Sequence, residues 1–133
     1  MNQDMKLRFL WRLWEDLSIS VEEVENLLMN GSIEPNDMIL WAVLNDREDL
    51  VCMLLEKGAN PSKRGYNDEL PALFRAVELY SNGYTTFGTT NLLMKAGANP
   101  HHIMEWYDGE EFYHGTIAVV IYKAFGINIL KAL

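Results

Sequence analysis

The chain has 133 residues, 49% hydrophobic and 23% charged, which is enough apolar material for one packed domain and too much for a disordered chain. Its formal net charge of −8 opposes a direct nucleic acid partner, because the phosphate backbone repels it. No apolar run approaches the roughly 18 residues a membrane helix needs, and residues 1–14 mix Asp4, Lys6, Arg8 and Arg12 into the apolar positions, unlike a secretory leader. The single cysteine, Cys52, forms no internal disulfide and suits a reducing compartment, so cytoplasmic residence is the expectation.

Taken in chain order, Leu7, Leu10, Trp14 and Leu17 share one helical face. Ser20 opens a capping box with Glu23, and Val21, Val24, Leu27 and Leu28 line a second helix. That helix closes on "NLLMNGS" at residues 26–32, where glycine tolerates the left-handed conformation that ends a helix. The same device is clearer in "MLLEKGANP" at residues 53–61, which recurs as "LLMKAGANP" at residues 92–100. Ahead of the first copy, residues 38–43 have the spacing of a helix ending near Asn45 and Asp46. Leu50, Val51, Leu54 and Leu55 then form the apolar stripe of the next helix.

The second copy repeats the pair with an insertion. Residues 74–77 begin one helix and residues 91–97 end the other. Ala42 to Gly58 spans 16 residues whereas Ala76 to Gly97 spans 21. The extra five fall around residues 80–86, an enlarged loop bearing Tyr80 and Tyr84. Further on, "MEWYDGEEFYH" at residues 104–114 sets Trp106, Tyr107, Phe112 and Tyr113 among Glu105, Asp108, Glu110 and Glu111. It reads as a turn or hairpin around Asp108-Gly109. Residues 116–125 read as a helix and 127–133 as a shortened one, although the β-branched run "TIAVVIY" also fits a strand.

Signals for catalysis are absent. His101, His102 and His114, with Glu105 one turn from His102, suggest at most a metal group on a surface turn. Cys52 has no basic neighbour in sequence to lower its pKa and reads as a partly exposed structural thiol. Gly83 and Gly88 are not followed by Lys-Ser/Thr, so there is no Walker-type phosphate loop. No cofactor is implied, and the chain is expected not to be an enzyme.

The segment 37–60 resembles the ankyrin family, loosely at its front ("DMILWA") and closely at its back ("DLVCMLLEKGAN"). The interval Gly58 to Gly97 is 39 residues, longer than that family's period of about 33. The resemblance implies an all-α fold, a solenoid of about four helix pairs at roughly 5–30, 37–58, 70–97 and 115–133 with degenerate terminal caps, in one domain. It also implies partner contacts at the turn tips and the exposed ends of the first helices. Carried over, these are Leu44 and Asn45, Glu78 and Leu79, and the middle turn at 63–69 with Tyr66 and Asp68. Tyr80 and Tyr84 extend the aromatic character. Glu105, Trp106, Tyr107, Asp108, Glu110, Glu111 and Tyr113 belong to an enlarged turn, because Trp and Tyr dominate binding hot spots; the bland alternative is that some of these rings only cover the last helix pair.

The acids are unevenly spread: residues 1–50 carry 11 acids against 4 bases, residues 51–100 carry 4 against 5, and residues 101–133 carry 4 against 2. The expectation is a stoichiometric protein binder, such as an immunity or anti-defence protein covering the basic site of a toxin or nuclease. The rivals are an adaptor bridging two host proteins, with a second surface around residues 11–15, and a metal protein using the three histidines.

Overall fold

The computed structural model describes residues 3–64 and 70–131. Every helix is short: α1 Gln3–Trp14, α2 Val21–Met29, α3 Pro35–Leu44, α4 Glu48–Glu56, α5 Ala72–Ser81, α6 Gly88–Lys95 and α7 Ile117–Phe125, followed by one 3-10 turn at Ile129–Lys131. Between α6 and α7 lie two antiparallel strands, β1 Ile103–Tyr107 and β2 Phe112–Thr116. The strands overturn the expectation of an all-α chain. The fold is mixed, and the reason is visible in residue type: Ile103, Trp106, Tyr107, Phe112, Tyr113 and Thr116 are β-branched or aromatic, and they flank an Asp-Gly turn.

Most helices end in the same way. At Gly58 the amide donates to Leu55 O at 3.1 Å and the next amide, Ala59, to Leu54 O at 2.9 Å. Gly97 and Ala98 repeat this on Met94 O and Leu93 O at 3.1 and 2.9 Å. Both glycines sit at φ 100°, the left-handed conformation that lets the crossed pair of bonds form. Asp46 takes the equivalent place after α3 at φ 54°, its amide donating to Val43 O and that of Arg47 to Ala42 O.

At the start of helices, side chains cap the exposed amides. Ser20 Oγ accepts from Glu23 N at 3.0 Å before α2, as the sequence suggests. Before α3 the cap comes from within the helix itself. The helix begins at Pro35, and Asp37, which is ion-paired to Lys6 at 3.0 Å, accepts from Glu34 N at 2.8 Å. Thr116 caps α7 by accepting from Val119 N at 3.2 Å, so the run "TIAVVIY" is helix from its second residue. The shortened last helix expected over 127–133 is only the 3-10 turn among the described residues.

Packing follows from these short lengths. α3 lies against α4 and α5, α5 against α6 and α7, and α4 against α6, while α2 touches α4. One continuous core runs through Leu10, Val24, Ile39, Leu50, Leu54, Phe74, Leu93, Val120 and Ile129, each nearly or wholly removed from solvent. Trp41 is buried to 9% exposure, and its Nε1 donates to Trp14 O at 2.7 Å, tying α3 to the end of α1. Polar bonds also tie the segments that follow α4 and α6 to earlier parts of the chain. Asn60 N donates to Asn36 Oδ1 at 2.7 Å and Asn99 N to Ser62 Oγ at 3.0 Å. Leu17, expected on the α1 face, lies beyond that helix and is 62% exposed. Among the described residues no helix is long and apolar enough to cross a membrane.

Asp46 is the place where this scheme is least well served. A non-glycine residue in the left-handed region is disfavoured, and burial, with the nearby Glu48 charge, pushes its carboxyl pKa up. Such a group contributes stability at acid pH that is lost as pH rises through its raised pKa. Replacing it, Asp46→Gly, is expected to stabilise the protein by about 1 kcal/mol, or about 4 °C in Tm. The gain should be larger at pH 7 than at pH 4 in thermal unfolding followed by circular dichroism. An equal or lower Tm at pH 7 would contradict the account.

Candidate interaction surface

The β1–β2 register pairs Ile103 with Thr116, Met104 with Gly115, Glu105 with His114, Trp106 with Tyr113 and Tyr107 with Phe112. Because side chains alternate across a sheet, the hairpin has two chemically distinct faces. Met104, Trp106 and Tyr113 face inward. Trp106 meets Phe74 edge-on, with ring centroids 4.9 Å apart, lies 5.5 Å from Phe125, and stacks on Tyr113 at 5.7 Å. Phe74 is fully buried and is itself 5.7 Å from Phe125. This aromatic group fastens the hairpin to α5 and α7.

The opposite face is left to solvent. Ile103, Tyr107 and Phe112 are 58%, 56% and 65% exposed. Between them Glu105 Oε1 and His114 Nδ1 approach to 3.3 Å in an exposed cross-strand pair, which contributes little to stability. Of the four aromatics in the segment, two therefore cover the core and two are presented outward.

The turn that joins the strands is built by one carboxylate. Asp108 Oδ1 accepts from Glu111 N at 2.7 Å and from Glu110 N at 2.8 Å, and Oδ2 accepts from the Tyr113 hydroxyl at 3.4 Å. Asp108 N donates to Glu111 O at 3.1 Å, and the Tyr107 hydroxyl donates to Gly109 O at 2.8 Å. Gly109 supplies the positive φ of 103° that the reversal requires. The two backbone donors hold the Asp108 carboxyl below the usual range. Burial, with the Asp108 and Glu111 charges, pushes the Tyr113 phenol up.

The other residues singled out in sequence are distributed as follows. Leu44 and Asn45 lie at the end of α3; Leu44 is 36% exposed, and the Asn45 side chain donates to Trp41 O at 2.9 Å. Glu78 is paired with Arg75 at 2.8 Å, and Leu79 is half-buried in the last turn of α5. Tyr80 packs on Phe87 at 5.0 Å, whereas Tyr84 is 74% exposed in the loop 82–87 that joins α5 to α6. That loop is anchored at its end by Thr86 Oγ1, which donates to Glu48 Oε1 at 2.7 Å. Tyr66 and Asp68 lie outside the described residues. The middle turn is joined to the hairpin at its base, where Arg64 Nη2 donates to Ile103 O at 3.0 Å.

Phe112 and Ile103 are surface residues that the sequence reading did not select. The sequence carries little signal for this, because "IMEWY" is apolar at every position but Glu105 and only the burial of Met104 and Trp106 in the fold sets the phase. Elsewhere, an open groove of about 580 Å³ lies between α1 and α2, lined by Phe9, Leu13, Ile19 and Leu27 with Arg12, Asp16, Glu23 and Asn26. Trp11, 63% exposed on α1, meets Trp14 edge-on at 5.8 Å. His101 and His102 lie in the turn ahead of β1. Among the described residues no three His, Cys, Asp or Glu side chains converge to hold a metal ion. Cys52 is exposed, with Sγ 3.8 Å from Glu56 Oε1. No protein-family model matches the chain, and no curated protein and no solved structure matches it.

The two faces and the turn make separate predictions. Trp106→Ala should lower the unfolding free energy by about 3 kcal/mol in a urea titration, while Tyr107→Ala should change it by less than about 0.5 kcal/mol; equal effects would contradict the assignment of faces. For the turn, the lowered Asp108 pKa means that its stabilisation is present above the ordinary aspartate pKa and lost as pH falls through the lowered one. The amide resonances of Glu110 and Glu111 should therefore titrate together, with a midpoint below the ordinary aspartate range. That transition should vanish in Asp108→Asn.

Proposed function

We propose that this chain is an ankyrin-type repeat protein that captures another protein stoichiometrically, and that the outward face of the β1–β2 hairpin and its acidic turn form the centre of its contact surface. The observation that carries the reading is the exposure of Tyr107 and Phe112 on a hairpin whose other face is locked into the core. Large rigid side chains held in place lose little entropy on binding, which is what makes aromatic anchors effective. The ankyrin part of the reading is supported by the recurrence of the same helix ending at Gly58 and Gly97 and by the turn segments that follow each.

Charge sets the class of partner. Glu105, Asp108, Glu110 and Glu111 surround the exposed aromatics, and residues 103–116 contain no Lys or Arg. A partner with a basic patch, such as a toxin or nuclease whose active site is to be covered, meets complementary potential and is drawn in faster. An adaptor role is the second reading, favoured by the exposed Trp11 beside the α1–α2 groove.

Capture from an extract of the source cells should yield one stoichiometric partner with a basic surface. Reversing Glu105, Glu110 and Glu111 to Lys together should then slow association more than about tenfold at low salt and remove its salt dependence. Asp108 is left intact because it builds the turn. An association rate indifferent to salt in the unaltered protein would sink the proposal. Retained partner binding after Trp11→Ala, with loss after Tyr107→Ala, would place the contact on the hairpin and not on α1.

A further inference from the structure

The hairpin carries a second recognition element in its backbone. Its ladder is bracketed by two bonds, Asp108 N to Glu111 O at 3.1 Å and Ile117 N to His102 O at 2.9 Å. In an antiparallel pair, residues that bond each other alternate with residues that do not. Stepping inward by twos from either bracket makes Met104–Gly115 and Trp106–Tyr113 the bonded pairs. Glu105–His114 and Tyr107–Phe112 are then the unbonded pairs, and their N–H and C=O groups point away from the partner strand, toward the two edges of the sheet.

The two edges differ. On β1 the edge is met at its start, where Arg64 donates to the outward carbonyl of Ile103, the register partner of Thr116. On β2 the amides and carbonyls of Phe112 and His114 form an open row. Proteins guard such edges with Lys, Pro or inward charges, because an unguarded one templates another strand. The sequence of β2, Phe-Tyr-His-Gly-Thr, has none of these guards.

We infer that the β2 edge is a strand-addition site for an extended, basic segment of the partner, pairing with the backbone of Phe112 and His114. The segment would alternate in side-chain direction, laying an apolar residue beside the exposed Phe112 ring and placing Lys or Arg near Glu110 and Glu111. This inference rests on the proposed capture of a basic protein but assigns the mode, main-chain pairing, which that proposal does not require.

The probe is a synthetic peptide of alternating Lys and Val, seven residues long by design, titrated into the intact chain and followed by amide exchange and fluorescence. Binding should protect the Phe112 and His114 amides. His114→Pro, which removes an edge donor without touching a ladder bond, should weaken the peptide about tenfold, whereas His114→Thr should not. Persistent protection of the Trp106 and Tyr113 amides would report an intact hairpin in both variants. If the proline variant loses that protection, N-methylated peptides replace it: methyl groups on the register facing β2 should abolish binding, and those on the other register should not. Equal binding by both variants or by both methylated peptides, or edge protection arising from a dimer of the chain itself, would overturn the inference. A natural partner that still binds His114→Pro at full strength would leave the capture reading standing and remove only the strand-addition mode.

Discussion

Helices of eight to twelve residues are too short to persist on their own in water, and that constraint organises the rest of this molecule. Each helix must stop at once and return the chain so that its apolar stripe meets a neighbour. The crossed pair of hydrogen bonds after α4 and α6 accomplishes this by satisfying two terminal carbonyls while turning the backbone through a left-handed residue. The next segment then leaves in a fixed direction and is caught by a side chain from earlier in the chain, Asn36 for Asn60 and Ser62 for Asn99. Local closure and long-range register are thus parts of one arrangement. Glycine serves the closure without cost at residues 58 and 97, and Asp46 shows the same geometry maintained against backbone preference and the charge of Glu48.

From these packed helices the hairpin departs in a different secondary structure, and it would be a poor independent unit, since two strands alone are marginal in water. Its order comes from burial of one face. Trp106 inserts against Phe74 and Phe125, and Tyr113 stacks behind it. Once those rings are fixed, the period of two leaves Ile103, Tyr107 and Phe112 no alternative to solvent. Exposure of these residues is therefore a consequence of core packing one position away in sequence. A one-residue slip of register would exchange the buried and exposed sets, so the aromatic group beneath specifies which surface is presented.

Much of this was legible in the residues, though unequally. The repeated "GANP" segments announced where α4 and α6 stop, and Ser20 announced where α2 starts, because caps and left-handed turns depend on one or two residues and little else. The enlarged connection after α5 was visible as a difference in spacing, and it is the loop at 82–87. The all-α expectation failed at residues 103–116, which read as a turn or hairpin between helix pairs but were not counted as sheet, whereas they form two paired strands. The sequence grouped Trp106 and Tyr113 with Tyr107 as contact residues, beside the alternative that some of these rings cover the last helix pair, and did not select Phe112. Which ring is buried depends on Phe74, some thirty residues away in the chain, and no local pattern reports that by itself. The Asp37 cap before α3 is local, three residues from Glu34, but its ion pair with Lys6 from another helix is a contact that no local pattern reports.

The acidic residues also divide once their partners are known. The net charge is −8, but several of these carboxylates are committed to structure. Asp37 is held by Lys6, Asp49 by Arg47, Glu78 by Arg75 and Glu48 by the Thr86 hydroxyl. Asp108 spends its charge on the two amides of its own turn. That local neutralisation holds Glu110 and Glu111 at fixed exposed positions beside Phe112, where their charge projects into solvent. Field and anchor are thereby set by the same turn. A carboxylate whose partners lie within the protein builds the platform, and only those left outward can distinguish one approaching surface from another.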